Sequence, residues 1–333
     1  MKRMVWMDHA RGMGVILVVF GHMLGGVKRA GLFPDGALAL WMDYTLYTFH
    51  MPLFFFLTGL NVQHSLRRGA GPFLASKGWT LAYPYVLWSL LQGGVLLLLA
   101  HDANNPVTPG DLAAIWHRPI GQFWFLYALM ICHLLVVLVP GRAALAGLAA
   151  VGFVAFQFLP VRPDLSLTLH HLPFYVAGLY GVPLMAWRPR RGGVMLAGIG
   201  VVFAAAVAFA GLASGMDEQG WAALPACVLG ISGVVLASKL LGPVRWLAAV
   251  GAMSMTIYVL HIMAGSGMRL ALVKLHVPLG PWGYLLIVTA AGIVLPMMAH
   301  AVLARLHLLT ALGLAPLSMW RGGRSEQGRG QVQ

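Results

Sequence analysis

Charge is what this sequence has least of. Asp, Glu, Lys and Arg make up 9% of its 333 residues, against roughly 25% in an ordinary soluble domain. A soluble globular fold with a charged surface is therefore excluded. Cysteine is almost missing as well: Cys132 and Cys227 are the two in the chain, and both sit in apolar stretches. That excludes a disulfide framework and a cysteine-ligated metal site. There is no HExxH and no GxSxG, and no histidine pair spaced i, i+4. Zinc hydrolysis and a serine nucleophile elbow thus have no footing. No internal repeat stands out, which weighs against transporter folds built from inverted repeats.

What the chain does have is long apolar runs, with 59% hydrophobic residues overall. A bilayer crossing needs about 20 apolar residues in a helix. Ten segments qualify: 10–27, 41–62, 79–100, 121–139, 143–160, 167–187, 193–213, 219–237, 246–268 and 282–305. Glycine or proline punctuates most of the connections, as in PDG, NNPVTPGD and PRRGG. The expectation is an all-α, polytopic transmembrane bundle of about 10 helices over residues 1–315, followed by a polar, disordered tail over 316–333. The first apolar run has no small-residue cleavage site and reads as a membrane helix that also directs insertion.

The net charge of +13 would suggest nucleic acid if it were spread evenly. It is not. With the N-terminus in the cytoplasm, 16 of the 22 basic residues fall inside, while Asp35, Asp43, Asp102, Asp111, Asp164, Asp217 and Glu218 fall outside. This bias is the positive-inside rule at work and places both termini in the cytoplasm. A nucleic-acid partner is not expected; the bilayer is.

An ionisable side chain at membrane depth is costly and points to function. Arg11 and His22 are 11 positions apart, which returns to within about 20° of the same helical face and about 16 Å along it. Gly14, Gly21 and Gly25 lie on or beside that face, where small residues admit a close neighbour or a ligand. His50, next to the helix-disturbing Pro52, and His261 fall at similar depth. The three histidines could share one polar chamber, or each could simply bond a neighbouring helix. As chemistry, a histidine general base fits best, because it can take a proton from a hydroxyl near neutral pH. No metal is expected.

These residues carry a resemblance. DHARGMGVILVVFGHM, from Asp8 to Met23, resembles the first helix of acyltransferase family 3, the integral-membrane acyltransferases, whose signature is a basic residue, ten positions, then histidine. FHMPLFFFLTGL, with His50, Met51, Pro52, Phe55 and Gly59, is similar to the second-helix motif of the fucose 4-O-acetylase-like branch. Weaker likenesses follow in order: AYPY at 82–85, FWFLYAL at 123–129, FYVAGL at 174–179 and GAMSMTIYVLH at 251–261.

The resemblance implies transfer of an acyl group, usually acetyl from cytoplasmic acetyl-CoA, to a sugar or polysaccharide hydroxyl outside the cytoplasm, by a multi-pass protein of the bacterial inner membrane. His22 matches the essential histidine and Arg11 its basic partner, with Asp8 one turn back as a partner for Arg11. The family's two arginines before the third helix are replaced by Lys77 and Thr80. Arg67, Arg68 and Lys77 form a cytoplasmic basic cluster suited to donor phosphates, though positive-inside charge explains them equally well. His50, Trp124, Tyr258 and His261 are the expected substrate-pocket residues. The competing reading is a proton-coupled transporter or glycan exporter with the histidines as relays.

Overall fold

The computed structural model describes residues 4–98, 107–159 and 163–315; the tail over 316–333, Asp102 and the end of the third expected span lie outside them. Among the described residues the architecture is all helical. Seven helical stretches are long and apolar enough to cross a membrane: Val5–Arg29, Ala70–Leu98, Gly121–Leu138, Gly192–Ser214, Trp221–Leu240, Ser254–Lys274 and Pro281–Arg305. The remaining expected spans also fall on helices, namely Ala37–Leu66, the shorter Arg142–Phe158 and Pro163–Tyr180. The protein is a multi-pass membrane protein.

The chain folds as two compact units that alternate along the sequence: one of Met1–Gln63, Ala146–Val161 and Leu169–Met297, the other of His64–Leu145, Arg162–Thr168 and Met298–Gln333.

In the first unit, α1 (Val5–Arg29) packs along α10 (Leu224–Leu240), α11 (Arg245–Ala252) and α12 (Ser254–Lys274). At 25 residues it is about 37 Å long, enough for a bilayer. Its apolar side joins Val15, Val19, Met23 and Leu24 to Ile257 of α12 and to Leu285 and Val288 of α13 (Pro281–Arg305). Where α1 crosses α11 the backbones touch. A β-carbon on Gly251 would run into the Asp8 carbonyl, and one on Gly12 would lie 2.5 Å from the Leu247 oxygen. Glycine at both positions is what lets the Asp8–Arg11 turn dock. The same device joins α2 (Ala37–Leu66) to α8 (Pro163–Tyr180): a β-carbon on Gly59 would strike the Tyr175 carbonyl, and one on Gly178 the Phe56 carbonyl. α9 (Gly192–Ser214) pairs with α10.

Two expectations need correction here. The span 246–268 is not one helix: α11 ends at Ala252, Met253 leaves helical geometry with φ −95° and ψ 11°, and α12 starts at Ser254. Gly251 and Ser254 flank the break, and both are weak helix formers. His261 must therefore be located from Ser254 and not along a straight axis from Trp246. Conversely, Pro52 does not break its helix. α2 runs through it from Ala37 to Leu66, with the Thr48 hydroxyl donating to the Tyr44 carbonyl (2.7 Å) one turn earlier.

In the second unit, α3 (Ala70–Lys77) continues through a π-helical turn, Gly78–Ala82, into α4 (Tyr83–Leu98). Pro84 has no N–H to donate and crowds the preceding turn, so the helix widens there. α5 (Pro109–Ala113) is closed by a Thr108–Asp111 capping box. α6 (Trp124–Leu138) is preceded by Gln122, which exchanges two hydrogen bonds with Gln92 of α4 at 3.0 and 2.8 Å. Trp88 donates to the Leu312 carbonyl at 3.0 Å. α7 (Arg142–Phe158) begins in this unit and passes into the other.

Candidate active site

The first unit brings three membrane histidines into one neighbourhood. His22, on α1, places its Nδ1 2.7 Å from Nε2 of His261 on α12. The ring planes lie within 12° of each other and the centroids are 5.0 Å apart. That separation is the N···N distance plus a ring radius at each end, so the rings meet end to end along the hydrogen bond and not face to face. The in-line geometry is the favourable one.

The backbone decides the protons. His261 Nδ1 faces the carbonyls of Tyr258 at 2.7 Å and Ile257 at 3.1 Å. A carbonyl only accepts, so His261 Nδ1 carries the hydrogen, and in the neutral ring Nε2 is then the acceptor. His22 Nδ1 must be the donor across the 2.7 Å contact. The remaining nitrogen, His22 Nε2, holds the lone pair. His261 is fully buried, whereas His22 keeps some accessible surface.

His50, on α2, is buried and turns its Nδ1 to the Leu46 carbonyl at 2.5 Å. Between it and His22 stands Tyr47, edge-on to His50 at 4.8 Å between centroids and 6.5 Å from His22. A β-carbon on Gly21 would lie 3.4 Å from the Tyr47 ring, so the small residue beside His22 seats this tyrosine. Tyr47 was not among the sequence candidates, yet it lies three residues before His50 and on its face, a spacing that could have marked it.

At the other end of the α1 face, Arg11 Nη1 lies 3.7 Å from Asp8 Oδ1, with Asp8 buried and Arg11 at 36% side-chain exposure. The pair is i, i+3 on the helix, as the sequence reading anticipated. Tyr258 belongs to the histidine cluster through its carbonyl, and its ring centroid is 6.3 Å from that of His261.

The other candidates lie elsewhere. Trp124, at the start of α6, belongs to the second unit and packs edge-on to Phe125. Arg67, Arg68 and Lys77 are also in the second unit. Arg67 and Arg68 are exposed just beyond α2, and the Lys77 ammonium lies 5.5 Å from the Phe73 ring centroid. Thr80, in the family's second arginine position, donates to the Ser76 carbonyl at 2.9 Å. Other histidines pack against aromatic rings: His171 on Phe55 at 4.6 Å, and His170 near Phe156 at 4.9 Å. Among the described residues no three His, Cys, Asp or Glu side chains converge as metal ligands would.

A family model described as an acyltransferase domain matches residues 4–301. The Nodulation protein NolL of Mesorhizobium japonicum is 26% identical over 187 residues, covering 54% of this chain and 48% of the relative. The Nodulation protein NolL of Sinorhizobium fredii is 26% identical over 184 residues, covering 53% and 48%. The matched stretch thus spans about half the length of these curated relatives. No solved structure matches the chain.

Proposed function

Because the chain belongs to the acyltransferase family, we propose that this membrane enzyme moves an acetyl group from cytoplasmic acetyl-CoA to a hydroxyl of an extracytoplasmic or lipid-linked sugar, with His22 as general base. The observation that carries the proposal is the 2.7 Å contact between His22 Nδ1 and His261 Nε2, from which the tautomer of His22 is inferred. Its Nδ1–H is committed to His261, and Nε2 is left as the basic atom.

The chemistry follows from that atom. His22 Nε2 takes the proton of the acceptor hydroxyl as the oxygen attacks the thioester carbonyl. The new C–O bond forms, the C–S bond breaks, and the leaving thiolate recovers a proton from the imidazolium. While His22 is protonated, its Nδ1–H bond to His261 strengthens, because a charge-assisted hydrogen bond is the stronger kind. His261 in turn is held by two carbonyls that cannot move without unwinding α12. A general base held this way contributes typically 10²–10⁴-fold.

Arg11, with Asp8 steadying it, is read as the cation of the first-helix motif. Arg67, Arg68 and Lys77 are read, on charge alone, as contacts for the donor's phosphates. His50 and Tyr47 are read as lining for the acceptor, together with Tyr258, and Trp124 as a further acceptor contact. The membrane is read as the cytoplasmic membrane of a bacterium, in keeping with the bacterial sources of both relatives.

The test is transfer of labelled acetyl from acetyl-CoA to a sugar glycoside by purified protein in detergent, with no ion gradient. Transfer supports the enzyme. Gradient-dependent movement of a glycan across vesicles without any transfer would replace it with an exporter.

A further inference from the structure

We infer that the Tyr47 hydroxyl is a catalytic hydrogen-bond donor, holding the thioester carbonyl oxygen of the acyl donor while the acceptor attacks beside His22. This rests on the acyl-transfer reading above and adds the group that stabilises the charge formed on that oxygen.

Attack on a thioester carbonyl pushes an electron pair onto its oxygen, and the oxyanion needs a hydrogen-bond donor already in place. The three imidazoles have no hydrogen to spare for it. His50 turns Nδ1 to the Leu46 carbonyl at 2.5 Å, and His261 turns Nδ1 to the Tyr258 and Ile257 carbonyls at 2.7 and 3.1 Å. His22 gives its Nδ1–H to His261 at 2.7 Å. In each neutral ring Nε2 is then a lone pair. The hydrogen that His22 Nε2 gains during the attack is the one the leaving thiolate needs.

Tyr47 has what the imidazoles lack. Among the described residues its hydroxyl has no hydrogen-bond partner, and a phenol keeps its hydrogen at neutral pH. It is also within reach of a ligand: Tyr47 and His22 both keep accessible surface, whereas His50 and His261 are buried.

The ring is held while the hydroxyl stays uncommitted. Its hydroxyl end lies along Gly21, the residue before His22: a β-carbon there would be 3.4 Å from Cε2, 3.7 Å from Cζ and 3.7 Å from the hydroxyl oxygen. The His50 ring meets it at 81° with centroids 4.8 Å apart, and the His22 ring stands 6.5 Å away, tilted by 56°. Contacts of this kind fix a ring through its faces and edges without using its polar atom. All four residues belong to the first unit. A donor fixed in advance is effective because nothing has to reorganise as the charge forms.

The step balances. The acceptor oxygen bonds to the carbonyl carbon, His22 Nε2 takes the acceptor's proton, and the carbonyl π pair moves onto oxygen. There the Tyr47 O–H donates a hydrogen bond and keeps its own proton. The pair then returns to re-form C=O, the C–S bond breaks, and the thiolate takes the proton from His22.

Tyr47→Phe removes the hydroxyl and keeps the ring against Gly21 and His50. In the full-length enzyme in nanodiscs, kcat for acetyl transfer from acetyl-CoA to the sugar glycoside should fall by about 10²–10³-fold, the effect of losing one oxyanion donor. Both KM values and the melting temperature should change little. Isotope-edited infrared spectroscopy of carbonyl-labelled acetyl-CoA, bound without acceptor, reads the contact itself. The carbonyl band should lie lower on the parent than on Tyr47→Phe, because a hydrogen bond weakens the C=O bond.

An unchanged kcat overturns the inference. So does a rise in the acceptor KM with kcat intact, which makes the hydroxyl an acceptor contact. A carbonyl band at one frequency in both proteins overturns it too, and leaves ring packing as the source of any lost rate. The same samples separate this inference from the reading beneath it. A parent that transfers nothing, yet lowers the carbonyl band in a way Tyr47→Phe does not, keeps the thioester contact and removes transfer to sugar. A parent that transfers at the rate of Tyr47→Phe keeps acyl transfer and removes Tyr47 from it.

Discussion

Nδ1 of His22 and Nε2 of His261 lie 2.7 Å apart although the residues are 239 positions apart in sequence. Because His261 Nδ1 is committed to the Tyr258 and Ile257 carbonyls, this one contact decides which nitrogen of His22 is basic. On the proposed mechanism His261 is a positioning residue: it meets His22 and not the reacting atoms.

His261→Ala should lower kcat by on the order of 10- to 100-fold, a part of the 10²–10⁴-fold that a positioned general base contributes, with KM for the acceptor little changed. His261→Gln, whose side-chain carbonyl can accept from His22 Nδ1, should recover part of the loss. Steady-state kinetics on both variants checks this. A rise in KM with kcat intact would make His261 a substrate contact instead.

Packing at the α1–α11 crossing gives a separate expectation. Gly251→Leu forces a side chain against the Asp8 carbonyl, and overpacking of this kind costs about 1–3 kcal/mol. The variant should unfold at lower temperature in detergent than the parent. Gly267→Ala, where an added β-carbon meets nothing within 4 Å, should not. Equal melting of both variants and the parent would mean that the crossing has slack.

The donor cluster is tested by replacing Arg67, Arg68 and Lys77 together with Gln. If they hold phosphates, KM for acetyl-CoA should rise about tenfold or more, allowing for solvent screening of exposed contacts. An unchanged KM with lower membrane yield would leave these residues a topological role only.

Much of the fold could be read from apolar run length, because lipid leaves a chain few ways to satisfy its backbone. Within the described residues each expected span falls on helix, 246–268 on two of them. The break at Met253 was not read, since MSMTIYVLH contains no proline and the weak helix formers that flank it, Gly251 and Ser254, are common in membrane helices too. The π-helical turn before Pro84 was similarly hidden within an apolar run. In the site, Arg11, Asp8 and His22 were legible because helical period places them on one helix. The His22–His261 bond was not, because only tertiary packing brings α1 and α12 together, and Tyr47 looked like one aromatic among many until Gly21 was seen to seat it.

The division of the basic residues, 16 against 6 when the N-terminus is placed inside, predicts both termini in the cytoplasm. Cytoplasmic reporters fused after residue 70, 190 or 333 should be active. An active periplasmic reporter at the last site would mean an odd number of crossings.

The most direct test of the central claim is the turnover of His22→Gln. The variant keeps a hydrogen-bonding side chain on α1 and lacks a basic nitrogen, so it should insert, purify and melt like the parent. The account predicts that its acetyl transfer from acetyl-CoA falls by about 10²–10⁴-fold, the contribution of a positioned general base. A well-folded His22→Gln protein that turns over at the parent's rate would contradict it and leave His22 a packing residue.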